Sequence, residues 1–302
     1  MTPNWDEGGG FEQRSFLTRR DALTLPKSFI WAKNSVQGEV MRLMRKSGVS
    51  LTLIAAIAVF GSVGVLSNAT LAIDGTEVEV NSVKEDPNAK LIEVPYMNQL
   101  DVVFGCEAVS ATMVLQFYGC DITWKEFTDD YLVKKPWHED ENGVRFGPDP
   151  YAAYPGDPYK DDGPNCGYGC YAPCLAKCMN KVLPADKYVA VVTSNLKLVD
   201  LVANYIDAGD PVLIWATMDM EPARLTRSWI IDYVDEDSHF RLGDVFTWNG
   251  NEHCLVLVGY DKDRYFFNDP YKNHGLIGYD RQIVEQRFRE QGSQSVVVRK
   301  VK

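Results

Sequence analysis

The sequence predicts an α+β fold in which a buried helix is followed by later antiparallel strands. Three observations carry this. Glu107 to Tyr118 is an almost unbroken apolar run with Gly119 as a stop, which reads as a buried helix. Runs rich in β-branched and aromatic residues crowd the second half, at Val212–Thr217, Trp229–Val234, His239–Leu242, Leu255–Tyr260, Tyr265–Phe267 and Ser295–Lys300. Only a short turn separates the fourth of these from the fifth, so the two are expected to form a hairpin. Helices first and strands later is an α+β order rather than the alternation that builds a parallel sheet.

The elements follow in sequence. Leu91–Pro95 reads as an extended entry segment. After the first helix, Thr123 and Glu126 make a capping-box pattern that starts a second helix running to Leu132. Residues 143–169 are dense in Gly, Pro, Asp and Tyr, a composition expected of a loop flanking a cleft. Pro173 suits the first turn of a helix reaching to about Leu183. Leu196–Ala208 reads as a helix stopped by Gly209, and Ile283–Glu290 as a last helix.

Residues 47–73 contain no charged side chain and are long enough to cross a bilayer, which takes ~20 apolar residues. Arg42, Arg45 and Lys46 precede this run, while Asp74, Glu77 and Glu79 follow it. That asymmetry puts the preceding residues in the cytoplasm and the following ones outside. A cleaved signal peptide is the other reading, with small residues at Ser67-Asn68-Ala69 and Thr70-Leu71-Ala72. The chain therefore divides into 1–46, a cytoplasmic extension or one upstream of a true start at Met41 or Met44; 47–73, an anchor or signal peptide; 74–90, a polar linker; and 91–302, the main domain. The formal net charge is −11, and residues 1–46 carry eight Lys/Arg against five Asp/Glu, so the acidity lies beyond residue 73. An acidic domain argues against nucleic-acid binding, which rests on phosphate contacts from Lys and Arg. It serves solubility first and weakly favours neutral or cationic substrates.

Cys106 follows the irregular stretch ending Phe104-Gly105 and opens the first helix. A thiol at a helix N-terminus sits at the positive end of the dipole, which favours the nucleophilic thiolate. A small core cysteine is the plain alternative. Far downstream, His253 stands at the start of the strand Leu255–Tyr260, and Asp269 ends the next one before Pro270. A thiol, an imidazole to take its proton and a polar group to orient the imidazole are the parts of nucleophilic cysteine catalysis. Gln99, seven residues before Cys106, is an uncharged amide donor able to face a developing oxyanion. If the two strands pair as a hairpin, Asp269 returns beside His253. A carboxylate oxygen should then bond one ring nitrogen, with the other nitrogen within ~4 Å of the Cys106 sulfur.

The block Gln99…Gly105-Cys106-Glu107…Ser110, the strand His253…Gly259-Tyr260-Asp261 and the turn Asn268-Asp269-Pro270 resemble papain-like cysteine peptidases. They are most similar to the bacterial group related to bacteriocin-processing, double-glycine peptidases. The resemblance extends over about residues 91–300 and includes Gly167-Tyr-Gly-Cys-Tyr-Ala-Pro173, Pro211-Val-Leu-Ile-Trp-Ala-Thr217 and Phe288…Gly292-Ser-Gln294. It implies a papain-like arrangement, the nucleophile's helix packed against an antiparallel sheet that carries the histidine. It also implies roles: Cys106 as nucleophile, His253 as general base, Asp269 as orienter and Gln99 as oxyanion donor. No cofactor is implied, nor a metal. The chain lacks the transporter segment of exporter-fused relatives, so double-glycine specificity does not follow. The expected activity is an extracytoplasmic peptidase, monomeric, acting on a peptide or protein. The competing readings are a transpeptidase or amidase using the same residues, or a surface-binding module without catalysis.

Six further cysteines remain. Cys254 should pack on the strand face opposite His253. Cys120 follows the stop at Gly119. Cys166, Cys170, Cys174 and Cys178 recur every four residues; disulfides, reduced core thiols or a zinc site would each fit, the last least well because zinc sites favour closer pairs. His138, His239 and His274 are expected at the surface. Export is checked by N-terminal sequencing of protein from native cells. The expected start lies near Thr70 or Ile73 if the segment is cleaved, with an intact membrane-bound chain if it is kept. Soluble cytoplasmic protein retaining 47–73 would contradict both.

Overall fold

The computed structural model describes residue 86 and residues 88–301. The expected N-terminal extension, the uncharged run 47–73 and most of the linker lie outside the described residues. No helix among the described residues is long and apolar enough to cross a membrane. In chain order the elements begin with β1 (Lys90–Leu91), α1 (Cys106–Phe117), the one-turn α2 (Trp124–Glu126), β2 (Lys134–Lys135), β3 (His138–Glu139), β4 (Arg145–Pro148) and β5 (Tyr154–Pro155). Then come α3 (Ala172–Met179), β6 (Tyr188–Ser194), α4 (Leu198–Leu201), β7 (Val212–Thr217), β8 (Leu225–Tyr233) and β9 (Val245–Asn249). The chain closes with β10 (Glu252–Tyr260), β11 (Arg264–Asp269), β12 (Gly275–Asp280), α5 (Arg281–Glu290) and β13 (Gln294–Lys300).

One antiparallel sheet organises the fold, in the order β12-β11-β10-β7-β13-β6, with β1 added against the far end of β10. Its two faces explain why β7 and β10 read as continuous apolar runs. On one face Leu213, Trp215, Cys254 and Val256 pack with Val109 and Met113 of α1 and with Leu175 of α3. On the other, Ile214, Leu255 and Phe267 pack with Leu201, Ile206, Val284 and Phe288. α1 is buried at every position from Cys106 to Leu115, so it has no polar outer face, and its sequence shows none. A smaller sheet, β3-β4-β8-β9, and the parallel pair β2-β5 lie off the main one.

The turn chemistry in the sequence forms as it reads. Thr123 and Glu126 make the capping box that starts α2. Past Glu126 the backbone widens into a π-turn over Phe127–Tyr131. The expected helix Leu196–Ala208 is likewise a short α4 continued by a π-turn, Val202–Ile206. In both places a helical period in the sequence is met by looser i→i+5 bonding, which the apolar spacing does not distinguish. The expected strand His239–Leu242 does not form. The main-chain N–H groups of His239 and Phe240 donate instead to the Asp149 carboxylate, at 2.8 and 3.1 Å, and the strand begins later as β9. β6 and β12 were not expected: neither is fully buried, so their alternation is weak. At Gly259 the β10–β11 register shifts. A Cβ there would stand 2.2 Å from the Lys90 carbonyl oxygen, so glycine is what lets β1 close on the strand.

Trp215 is fully buried on β7, and its indole N–H donates to the Cys170 carbonyl at 2.9 Å. It ties the sheet to the segment that leads into α3. Trp215→Ala should cost about 3–5 kcal/mol, the range for deleting a large buried ring. Urea unfolding followed by circular dichroism measures it; a loss under 1 kcal/mol would mean the ring carries little of the packing.

Candidate active site

Cys106 is the first residue of α1, with Gly105 before it as the N-cap. Gly105 sits close under Val102: a Cβ on it would come 2.5 Å from a Val102 methyl. The approach to the helix is therefore tight, and the cysteine is delivered at the helix start with 5 % of its surface exposed. The segment before α3 closes over it. The Tyr154 hydroxyl donates to the Phe104 carbonyl at 2.7 Å, and the Phe104 N–H donates to Pro158 O at 3.0 Å. The composition-rich loop thus flanks the cysteine.

His253 lies near the start of β10 and Asp269 at the end of β11, neighbouring antiparallel strands. Val256 pairs with Asn268, so the register brings Asp269 diagonally across from His253 on the same side of the ribbon. His253 Nε2 and Asp269 Oδ1 are 2.7 Å apart, with both residues 1 % exposed. Oδ1 also accepts the Tyr271 N–H at 2.9 Å. The other oxygen, Oδ2, accepts the Tyr279 hydroxyl at 3.0 Å and lies 3.3 Å from His274 Nδ1. Burial alone would raise the Asp269 carboxyl. The interaction with His253 and these hydrogen bonds outweigh it and hold the group well below the usual carboxylate range. An ionised Asp269 accepts from His253 Nε2–H, which leaves Nδ1 as the ring's basic nitrogen. His253 Nδ1 is buried and makes no hydrogen bond.

The Cys106 thiol does not take up that free nitrogen. It donates to Glu107 Oε2 at 3.3 Å. Burial, then the neighbouring Glu107 and Glu252 carboxyls, push the thiol well up, against a main-chain hydrogen bond from Cys254 that lowers it. The expectation that the helix dipole favours thiolate is thus overridden here, because desolvation and two acidic neighbours outweigh a partial charge. The sequence reading passed over those two glutamates. Glu107 is fully buried in α1, and its other oxygen accepts the Cys170 N–H at 2.6 Å. Burial first of all raises its carboxyl to about 7. Glu252, beside His253, is 3 % exposed and also raised, by burial and then by Glu107. One signal was present: Glu107 is the lone charge in α1, Glu252 opens the strand of His253, and each adjoins a proposed catalytic residue.

Gln99 is buried, and its own N–H bonds the Pro270 carbonyl at 3.0 Å, so it sits against the turn that follows Asp269. Its side-chain Nε2 donates to Val103 O at 3.0 Å. An amide nitrogen carries two hydrogens, so one remains for a second acceptor. His274 is half-buried against Asp269 rather than at the surface; His138 is exposed, and so is His239, which stacks on Tyr151 with ring centres 4.0 Å apart.

Cys254 is fully buried among the residues facing α1. All seven cysteines are free thiols. Cys170, Cys174 and Cys178 are buried together in the core, and Cys178 Sγ accepts the Val133 N–H at 3.3 Å. Of the described residues, the acidic and sulfur donors that gather within 4.8 Å of one another are Cys106, Glu107 and Glu252. Both Glu107 oxygens there are already engaged by the thiol and by Cys170 N–H, and we assign no metal to the group.

A cleft of about 240 Å³ opens beside these residues, and Phe104, Gly167, Tyr168, Met218, Trp248 and Glu252 are among those that line it. A larger one, about 340 Å³, lies at the other end of α1 around Cys120, Ile122 and Pro184 and touches none of them.

Stability should report on Asp269. Its carboxyl is lower in the folded chain than the ~3.9 of an unfolded aspartate, so the stabilisation is present above that value and is lost as pH falls below it. Urea midpoints taken from pH 6 to pH 3 should therefore fall more steeply for the native chain than for Asp269→Asn. Parallel curves would show that the carboxylate is not specially held.

Comparison with known proteins gives the family and the fold. Residues 91–296 match the model of the Peptidase_C39 like family. The chain is 28 % identical over 237 residues to YvpB of Bacillus subtilis (strain 168), an uncharacterized protein, covering 74 % of this chain and 82 % of that one. It also resembles the crystal structure of a candidate C39-like peptidase from Bacillus anthracis. The TM-score is 0.57 at 28 % identity, over 70 % of this chain and 98 % of the other.

Proposed function

The chain belongs to the Peptidase_C39-like family, and from that premise we propose that it is a cysteine peptidase in which Cys106, His253, Asp269 and Gln99 carry the reaction. The observation that carries this is the state of the His253 ring. One nitrogen is held 2.7 Å from a buried carboxylate while the other is buried and unengaged. A ring held so is oriented for proton transfer.

In the proposed reaction the Cys106 thiol passes its proton to His253 Nδ1, and the sulfur attacks the peptide carbonyl carbon. The carbonyl oxygen gains the negative charge and faces the free hydrogen of Gln99 Nε2 together with the Cys106 main-chain N–H. The C–N bond breaks as the imidazolium returns its proton to the leaving amine. Water, deprotonated by His253, then hydrolyses the thioester and frees the sulfur. Asp269 keeps the ring in one tautomer throughout. The 240 Å³ cleft beside Glu252 offers an aromatic wall to a substrate side chain. We further propose that the peptidase works outside the cytoplasm, supported by the uncharged run 47–73 and the basic residues before it.

The test is turnover of an unbiased peptide mixture read by mass spectrometry. Cys106→Ala should abolish cleavage while leaving the unfolding midpoint nearly unchanged. Gln99→Ala should lower kcat by roughly 10²–10³, the usual loss of one oxyanion donor. Cleavage by Cys106→Ala at the native rate would end this reading.

A further inference from the structure

Two buried carboxyls beside a nucleophile are more than the proposed reaction uses. Glu107 Oε2 accepts the Cys106 thiol at 3.3 Å, and Glu107 Oε1 accepts the Cys170 N–H at 2.6 Å. Glu252 stands next to it with Oε1 buried and unengaged. Gly169 makes the room: a Cβ there would lie 2.4 Å from Glu107 Oε1 and 2.8 Å from Glu252 Oε2. The groups that face Glu107 are Cys106 on its own helix, Glu252, His253 and Cys254 on β10, Tyr154, Cys170 and Tyr171 from the flanking segment, and Cys174 on α3. None is a lysine or arginine. Two carboxyls in such surroundings cannot both ionise, so one stays protonated.

We propose that Glu107, backed by Glu252, is a positioning residue that parks the Cys106 thiol away from the His253 ring and releases it when a substrate fills the adjoining cleft. The inference rests on the peptidase reading for its purpose, though not for its measurement. Parked, the sulfur keeps its proton: the S–H bond points at a carboxyl oxygen, and His253 Nδ1 stays unengaged. On release the thiol hydrogen leaves Glu107, and the same proton moves to His253 Nδ1. Glu252 borders the cleft along with Trp248 and Gly167, so a peptide that fills the cleft reaches the Glu252 carboxyl. Below neutrality the pair is uncharged. Above it, Glu107 carries a negative charge that opposes a thiolate alongside. The resting enzyme thereby keeps a less oxidisable, less reactive thiol.

The experiment is the rate of iodoacetamide alkylation at Cys106, followed by peptide mapping from pH 5 to pH 9 on the full chain. The native rate should show an inflection near pH 7, where Glu107 titrates. Glu107→Gln should abolish that inflection and speed labelling at pH 8 by about tenfold, the equivalent of one pKa unit. Glu252→Gln, which copies the protonated carboxyl, should keep it. A purely structural Glu107 would lower the melting temperature of Glu107→Gln without moving the inflection, and that result overturns the proposal. Loss of the inflection in Glu252→Gln would overturn the assignment of the charge to Glu107. If Glu107→Gln does not fold, the native profile decides: no inflection between pH 6 and pH 8 refutes the parking. Failure of the peptidase reading shows separately, as cleavage that survives Cys106→Ala.

Discussion

Everything at the site depends on the register of one β-hairpin. The β10–β11 pairing brings the imidazole of His253 and the carboxylate of Asp269 to 2.7 Å inside a nearly solvent-free pocket. A one-residue slip would turn Asp269 to the opposite face and leave both groups buried without each other, at a cost of several kcal/mol. Two things resist the slip. The strands are apolar on both faces, so every side chain has a place in one of two cores. The turn after Asp269 and the strand beyond it then add donors to the same carboxylate, Tyr271 N–H from the turn and the Tyr279 hydroxyl from β12.

The second constraint is desolvation. It lets a weakly exposed thiol, an imidazole and three carboxyls lie close together, and it decides which of them carry charge. Asp269 has hydrogen-bond donors around it and stays ionised although burial opposes this. Glu107 and Glu252 have few, and burial raises both. The same physics therefore yields one fixed anion behind the histidine and a carboxyl pair that holds on to protons behind the cysteine. That contrast separates an orienting carboxylate from a restraining carboxyl pair more sharply than position in the sequence does.

Much of this was legible in the chain. The buried helix opening at Cys106 showed as an apolar run with a glycine stop. The hairpin showed as two strand patterns separated by a turn, which is why the meeting of His253 with Asp269 could be expected. What was hidden depended on contacts distant in sequence. The partner of the Cys106 thiol could not be read from spacing, because Glu107 is its neighbour and Glu252 arrives from a strand 146 residues later. His274 and Tyr279 reach Asp269 only because β12 folds back on β11. The expected strand at His239–Leu242 failed for a related reason: Asp149, ninety residues earlier, captures its main-chain donors. Edge strands such as β6 and β12, half-exposed, left little alternation to find.

The most direct test of the account is a crystal structure of the chain treated with a peptide aldehyde, which mimics the carbonyl under attack. The account predicts a covalent bond from Cys106 Sγ to the aldehyde carbon, the sulfur moved off Glu107 toward His253 Nδ1, and the new hydroxyl or oxyanion facing Gln99. An adduct on another cysteine, or an aldehyde bound with the thiol still donating to Glu107, would contradict it.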